Sequence, residues 1–123
     1  MALPFSVVLR TGRPLHEQVV FAVTKAVVNG QLRPDDPFPS VRTLSQELRI
    51  NPNTAQKIVT TLVERGLLDA RPGVGTTVAA WRPASNPALR AGLVSDLERI
   101  IVEAKQLGMG VSDVLDAIRR MWK

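Results

Sequence analysis

Between Asn51 and Gly66 the apolar and polar residues separate onto two sides of a helix. At about 100° per residue, one side collects only apolar residues, namely Ala55, Ile58, Val59, Leu62 and Val63. Asn51 is a favourable N-cap residue, Pro52 suits the first helical position, and Gly66 is a typical stop after the last turn. The pattern therefore predicts an amphipathic helix with a well-defined beginning and end.

The polar side of this predicted helix differs from an ordinary solvated surface. It carries amides and hydroxyls with a single lysine: Asn53, Thr54, Gln56, Lys57, Thr60 and Thr61. No Asp or Glu occurs from residue 48 to residue 63, and a surface that approaches phosphates has to exclude carboxylates. Amides and hydroxyls can pair with base edges, and the formal net charge of +5 suits a polyanionic partner. We therefore expect this side to face double-stranded DNA.

The elements predicted around this helix follow a known order. Residues 14–29 predict a first helix, and Ser40 caps a short second helix that turns Val41, Leu44 and Leu48 inward. Residues 67–71 and 76–80 predict two strands around a glycine-rich turn. Helix, short helix, tight turn, helix and hairpin is the order of a winged helix-turn-helix. The predicted fold class is mainly α with a small β-hairpin, with the winged helix-turn-helix domain over residues 1–80.

Within this fold the third helix presents its N-terminal residues to the major groove. We expect Asn53, Thr54, Gln56 and Lys57 to contact bases, whereas Arg42, Asn51 and the hairpin tip position phosphates. The complete expected DNA-binding set is Ser40, Arg42, Asn51, Asn53, Thr54, Gln56, Lys57, Arg71, Gly73, Gly75 and Thr76. Each residue also has a plainer interpretation, as a helix cap, as ordinary surface or as turn geometry. The expectation rests on the pattern as a whole.

A linker at residues 81–87 separates this domain from two further predicted helices over residues 88–123. Apolar residues recur along both helices, at Leu93, Leu97, Ile100, Ala104, Leu107, Leu115, Ile118 and Trp122. The 43 residues from 81 to 123 are too few for an independent core, so these side chains are covered by the first domain, by a second copy, or by both. One helix-turn-helix buries only about 600–1,000 Å² on DNA, which favours a dimerisation segment and a homodimer.

Composition and missing motifs exclude several functional classes. There is no cysteine and only one histidine, which rules out thiolate and multi-histidine metal sites. No phosphate-binding loop motif and no convincing Ser/His/Asp set occurs, so we expect no enzyme, no catalytic residue, no metal and no cofactor. No apolar run approaches the roughly 18–20 residues that cross a bilayer. We therefore expect a soluble cytoplasmic protein without a membrane partner.

Six short strings occur in order between residues 12 and 76: GRPLHEQV (12–19), GQLRP (30–34), PSVRTL (39–44), INPNTAQK (50–57), ERGLL (64–68) and GVGT (73–76). In combination they resemble the GntR family of bacterial transcription regulators. The NPNT turn and the short C-terminal segment are similar to the YtrA-type subfamily. The resemblance implies DNA contacts from Arg42, from residues 51–57 and from the wing at residues 73–76, and it implies dimerisation through the tail.

Some positions depart from the family pattern. Many members carry an arginine where Gln56 stands and a basic residue where Pro52 stands, so their base preferences do not carry over. Asp35 stands where a turn glycine is usual. The tail leaves no room for the ligand-sensing domain that ordinarily follows, so we expect any small-molecule effector, of unknown class, to bind at the dimer interface.

The sequence therefore predicts a sequence-specific DNA-binding repressor that acts as a homodimer on a two-fold operator. The alternative is a winged-helix module for protein–protein interaction without sequence-specific DNA binding. Acidic or large apolar residues on the outer side of the third helix would favour that alternative, and neither is present.

Overall fold

The computed structural model describes residues 3–122, and this part of the chain forms five helices and one antiparallel hairpin. The elements are α1 (Leu15–Val28), α2 (Val41–Leu48), α3 (Pro52–Glu64), β1 (Leu68–Arg71), β2 (Gly75–Val78), α4 (Pro87–Gln106) and α5 (Val111–Met121). They confirm the predicted class, mainly α with a small β-hairpin. The chain divides into two compact units, the first ending at Arg82 and the second beginning at Pro83.

Local caps define the tight turn between α2 and α3. The Ser40 hydroxyl accepts the backbone N–H of Thr43 at 3.1 Å, and the Asn51 side-chain oxygen accepts that of Asn53 at 2.7 Å. Both side chains are thus N-caps, as the sequence predicted. The helix α2 ends at Leu48, and its C-cap residue Arg49 adopts a left-handed conformation with φ of 55° although it is not a glycine.

The hydrophobic core of the first unit lies among α1, α2, α3 and the hairpin. Its largest fully buried side chains are Leu44, Ile58, Leu62, Leu68, Val19, Val23, Val27 and Val78. Burying each such side chain contributes about 1.5–3 kcal/mol to folding. Because α3 packs against α1, α2 and β1, only its outer side remains in contact with solvent.

The hairpin is extended at its outer edge by the connection between α1 and α2. The strands pair in the register Leu68↔Val78 to Arg71↔Gly75, and an isolated bridge joins Pro37 to Thr77. Phe38 donates its backbone N–H to the carbonyl of Thr76 at 2.9 Å. These backbone bonds attach the wing to the body of the domain.

The N-terminal segment belongs to the same core. Phe5 is buried and its ring stacks on that of Phe38, with centroids 5.9 Å apart and planes 3° from parallel. At the other end of the unit, Trp81 packs partly buried against the core. The predicted linker therefore begins with a residue whose side chain contributes to the first unit.

The second unit consists of α4 and α5. The Asn86 side-chain oxygen accepts the backbone N–H groups of Ala88 and Leu89, both at 3.1 Å, and caps α4. Trp122 follows the last helical residue and is extended, with φ of −84° and ψ of 104°, whereas the sequence placed it in the last helix. Lys123 lies outside the described residues. Among residues 3–122, no helix is both long enough and apolar enough to cross a membrane.

Candidate nucleic-acid interface

The outer side of α3 presents a compact set of exposed polar side chains. Asn53, Gln56, Lys57 and Thr60 are all exposed, and at about 100° per residue they fall within an arc of about 100°. Thr54, at the edge of this set, is half-buried. The exposed carboxylate of Glu64 falls on the same arc, about 16 Å along the helix axis from Asn53. The part of the arc without carboxylates is therefore the N-terminal part.

Two amides on this helix already have partners within it. Gln56 donates from Nε2 to the Thr60 hydroxyl at 3.2 Å, which leaves its carbonyl oxygen and one N–H for another molecule. Asn51 uses its carbonyl oxygen for the cap and keeps its NH₂ group. Thr60 is absent from the set expected from the sequence. Its four-residue spacing from Gln56 could have indicated it, because side chains four residues apart are neighbours on a helix.

The Ser40 hydroxyl is committed to the start of α2. Besides accepting the Thr43 N–H, it donates to Thr43 Oγ1 at 3.0 Å, so its only hydrogen is used within the protein. Arg42, two residues on, is exposed. Neither α2 nor α3 has an acidic residue in its first turn. The partial positive charge of each helix start is therefore not offset by a carboxylate from its own first turn.

The wing tip is shaped by two glycines. Gly73 has φ of 77° and Gly75 has φ of 104°, values that side chains disfavour, and Val74 between them donates its N–H to the Arg71 carbonyl at 3.0 Å. Thr76 is half-buried. The two glycines therefore leave backbone uncovered at the tip, on either side of the exposed Val74 side chain.

Arg71, at the end of β1, is held by a carboxylate. Its Nη2 lies 2.9 Å from Asp35 Oδ1 and 4.0 Å from Asp69 Oδ2. Asp35 itself has φ of 71°, the conformation of the turn glycine whose place it takes. The set expected from the sequence contained Arg71 but not Asp35, its partner in this ion pair. The sequence feature that could have drawn attention to Asp35 is its occurrence where a turn glycine is usual.

A side-chain hydrogen bond joins α3 to α1. His16 Nε2 lies 3.0 Å from Thr61 Oγ1, and the Thr61 hydroxyl donates to the Lys57 carbonyl at 2.9 Å. Since that hydroxyl has one hydrogen, both contacts are hydrogen bonds in the tautomer that carries the ring proton on Nε2. The contact attaches α1 to α3 near the exposed residues Lys57 and Thr60.

The second unit leaves most of its apolar side chains exposed. Of the eight residues expected at a dimer interface, seven are exposed: Leu93, Leu97, Ile100, Leu107, Leu115, Ile118 and Trp122. Ala104 differs, because it is buried and offers almost no surface to another chain. The helix α5 has no buried residue at all. Its inward packing within the second unit is therefore slight.

Known proteins match this chain over both units. Residues 15–78 match the family described as bacterial regulatory proteins, gntR family. The HTH-type transcriptional repressor YtrA of Bacillus subtilis is 24% identical over 113 residues, which are 91% of this chain and 87% of that protein. The YtrA-type resemblance is thereby confirmed.

Solved structures agree in fold. The structure of a transcriptional antiterminator from Listeria monocytogenes matches with a TM-score of 0.82 and 23% identity, over 97% of this chain and 90% of that one. The DNA-binding domain of AraR, solved in complex with operator ORX1, matches with a TM-score of 0.53 and 28% identity, over 60% of this chain and 95% of that one.

These matches are to transcription regulators and not to enzymes. The family match covers the helices α1 to α3 and the hairpin that carry the polar arc and the wing. The chain belongs to the GntR family of bacterial regulatory proteins.

Proposed function

We propose that this chain is a sequence-specific DNA-binding repressor that acts as a homodimer on a two-fold operator. The observation that carries the proposal is the exposed arc of Asn53, Gln56, Lys57 and Thr60, which offers donors and acceptors without a carboxylate among them. An arc of this composition fits base edges in the major groove. The relatives support the proposal, since YtrA is named a repressor and the AraR domain was solved with operator DNA.

In this proposal α3 enters the major groove by its N-terminal half. Asn53, Gln56 and Lys57 contact bases there, because these exposed side chains carry the hydrogen-bonding groups that base edges complement. Arg42 neutralises a phosphate from the start of α2. The wing tip brings its backbone N–H groups close to the adjacent phosphates, because the glycines at its turn leave the backbone uncovered.

The homodimer follows from the apolar surface of the second unit. Leu93, Leu97 and Ile100 recur at four- and three-residue spacing on α4 and are 63%, 44% and 47% exposed. A stripe of this kind on a long helix is the surface that another helix covers. A second copy of the chain supplies that helix and also a second DNA-reading unit. Two half-sites then give the specificity that one small unit lacks.

Such a regulator acts where the chromosome lies, so we place it in the cytoplasm. Repression requires only that the bound dimer occupy the operator and exclude other proteins from it. In this proposal a small-molecule effector acts at the dimer interface and changes the affinity for DNA from there.

The test is selection of bound fragments from a pool of random duplexes by the full-length protein. We expect an enriched sequence with two-fold symmetry and a fixed spacing. Sedimentation of the free protein at micromolar concentration should give a dimer, and Ile100→Asp should give a monomer that loses the symmetric site. Ser95→Asp, which changes another exposed residue of α4, is the matched control and should leave the dimer intact. Enrichment of no sequence would overturn the proposal in favour of a protein-interaction module.

A further inference from the structure

Asp35, in the connection between α1 and α2, holds a costly backbone conformation at a fixed place beside β2 of the wing. Its φ of 71° lies in the left-handed region, which glycine adopts without penalty and other residues do not. Its backbone N–H donates to the Val78 carbonyl, and Val78 donates back to the carbonyl of Asp36, both at 2.8 Å. Because β2 fixes this backbone on both sides, the Asp35 carboxylate projects from a rigid position.

The carboxylate orients one specific guanidinium. Arg71 Nη2 lies 2.9 Å from Asp35 Oδ1, across 36 residues of sequence. The bond engages one of the five guanidinium N–H groups. The Arg71 side chain is 48% exposed, so other donors face solvent. Arg71 pairs with Gly75 in the hairpin register and therefore lies at the base of the wing tip.

We propose that Asp35 is a positioning residue that presents Arg71 to a DNA phosphate beside the wing. This inference rests on the proposed function and specifies how one of its contacts is held. A free arginine loses rotamer freedom when it binds, whereas Arg71 is ordered in advance. The phosphate then accepts charge-assisted hydrogen bonds from the remaining N–H groups. The charge of Asp35 repels the same phosphate, but its side chain is 74% exposed and solvent screens that repulsion.

The experiment compares two substitutions, each of which removes one carboxylate charge from the surroundings of Arg71. Asp35→Asn removes the carboxylate at 2.9 Å from Arg71 and keeps a residue that tolerates positive φ, whereas Asp69→Asn removes the carboxylate at 4.0 Å. The full-length protein is titrated with a random-sequence duplex of fixed length over a series of salt concentrations. Phosphate contacts do not depend on base sequence, so this probe requires no operator.

We expect Asp35→Asn to weaken binding by about threefold to tenfold and to lower the salt slope by up to about one unit, toward the slope of Arg71→Ala. Asp69→Asn should not weaken binding. In the Arg71→Ala background, Asp35→Asn should cause no further loss. Asp35→Gly, which suits the backbone, should weaken binding as Asp35→Asn does while the melting temperature stays within about 5 °C of the wild type.

Tighter duplex binding by Asp35→Asn would overturn the positioning role. So would an equal loss of affinity on Asp35→Asn in the wild-type and Arg71→Ala backgrounds. An unchanged salt slope would overturn it as well. If the wild type itself binds no duplex, the proposed function fails. If the wild type binds and the Asp35 variants bind equally well, only this inference fails.

Discussion

The side-chain amide of Gln56 donates to the hydroxyl of Thr60 one helical turn further on, with Nε2 3.2 Å from Oγ1. The bond orients an exposed amide on the outer arc of α3 and leaves one N–H and the carbonyl oxygen free. Those are the groups with which glutamine pairs with adenine through N6 and N7. The structure therefore shows the Gln56 amide in one hydrogen-bonded orientation on the exposed arc.

The first prediction concerns base preference. Gln56→Ala should relax the preference at one base pair of each half-site and cost about 1–3 kcal/mol against the cognate sequence, because a paired set of hydrogen bonds is lost. Thr60→Val should weaken the same preference to a smaller extent. Glu64→Gln, at the far end of the same arc, should leave the preference unchanged. Binding is measured against duplexes that differ by single base pairs, and an equal loss on cognate and random DNA would contradict the base-contacting role.

The second prediction concerns Arg42, which is exposed in the first turn of α2. Arg42→Ala should weaken binding to all duplexes and lower the slope of log affinity against log salt by about one unit, since one phosphate contact is lost. Arg99→Ala removes an equal charge from α4 and serves as the control, with an unchanged slope expected. The measurement is a salt titration. A loss confined to the cognate sequence would assign Arg42 to a base instead.

The third prediction concerns the wing turn. Gly75→Ala places a side chain at φ of 104° and should destabilise the folded protein by about 1–2 kcal/mol, because L-residues disfavour this region. Val74→Ala changes the neighbouring exposed residue and should alter stability by less than about 0.5 kcal/mol. Both free energies of unfolding come from chemical denaturation. Equal values for the two variants would show that the turn tolerates another conformation.

The fourth prediction concerns the bond between His16 and Thr61, which joins α1 to α3 at 3.0 Å. A double-mutant cycle of His16→Ala and Thr61→Val should give a coupling free energy of about 0.5–1.5 kcal/mol, the usual contribution of one hydrogen bond. Denaturation of the four proteins supplies the values. A coupling near zero would mean that the two side chains contribute to stability independently.

Much of the fold could be predicted because its signals are local. The apolar spacing on α3 and the caps at Ser40 and Asn51 act within a few residues of sequence, and the structure has each of them. The hairpin turn is likewise determined locally, by Gly73 and Gly75 on either side of Val74. Repeated apolar spacing predicted α4 and α5, although Ala104 is buried and Trp122 lies just beyond the last helix.

The sequence by itself thus determined the helices, the N-caps of α2 and α3, the order of elements and the polar N-terminal part of the α3 arc, which has no carboxylate. Only the tertiary structure decided that Asp35 binds Arg71, that His16 lies within hydrogen-bond distance of Thr61, and that the α1–α2 connection pairs with β2. The physical reason is the separation of the partners along the sequence. Helical periodicity and capping depend on neighbours a few residues apart. The two side-chain contacts instead join residues 36 and 45 positions apart, and the backbone pairing with β2 likewise joins distant segments, so all three form only when the core packs.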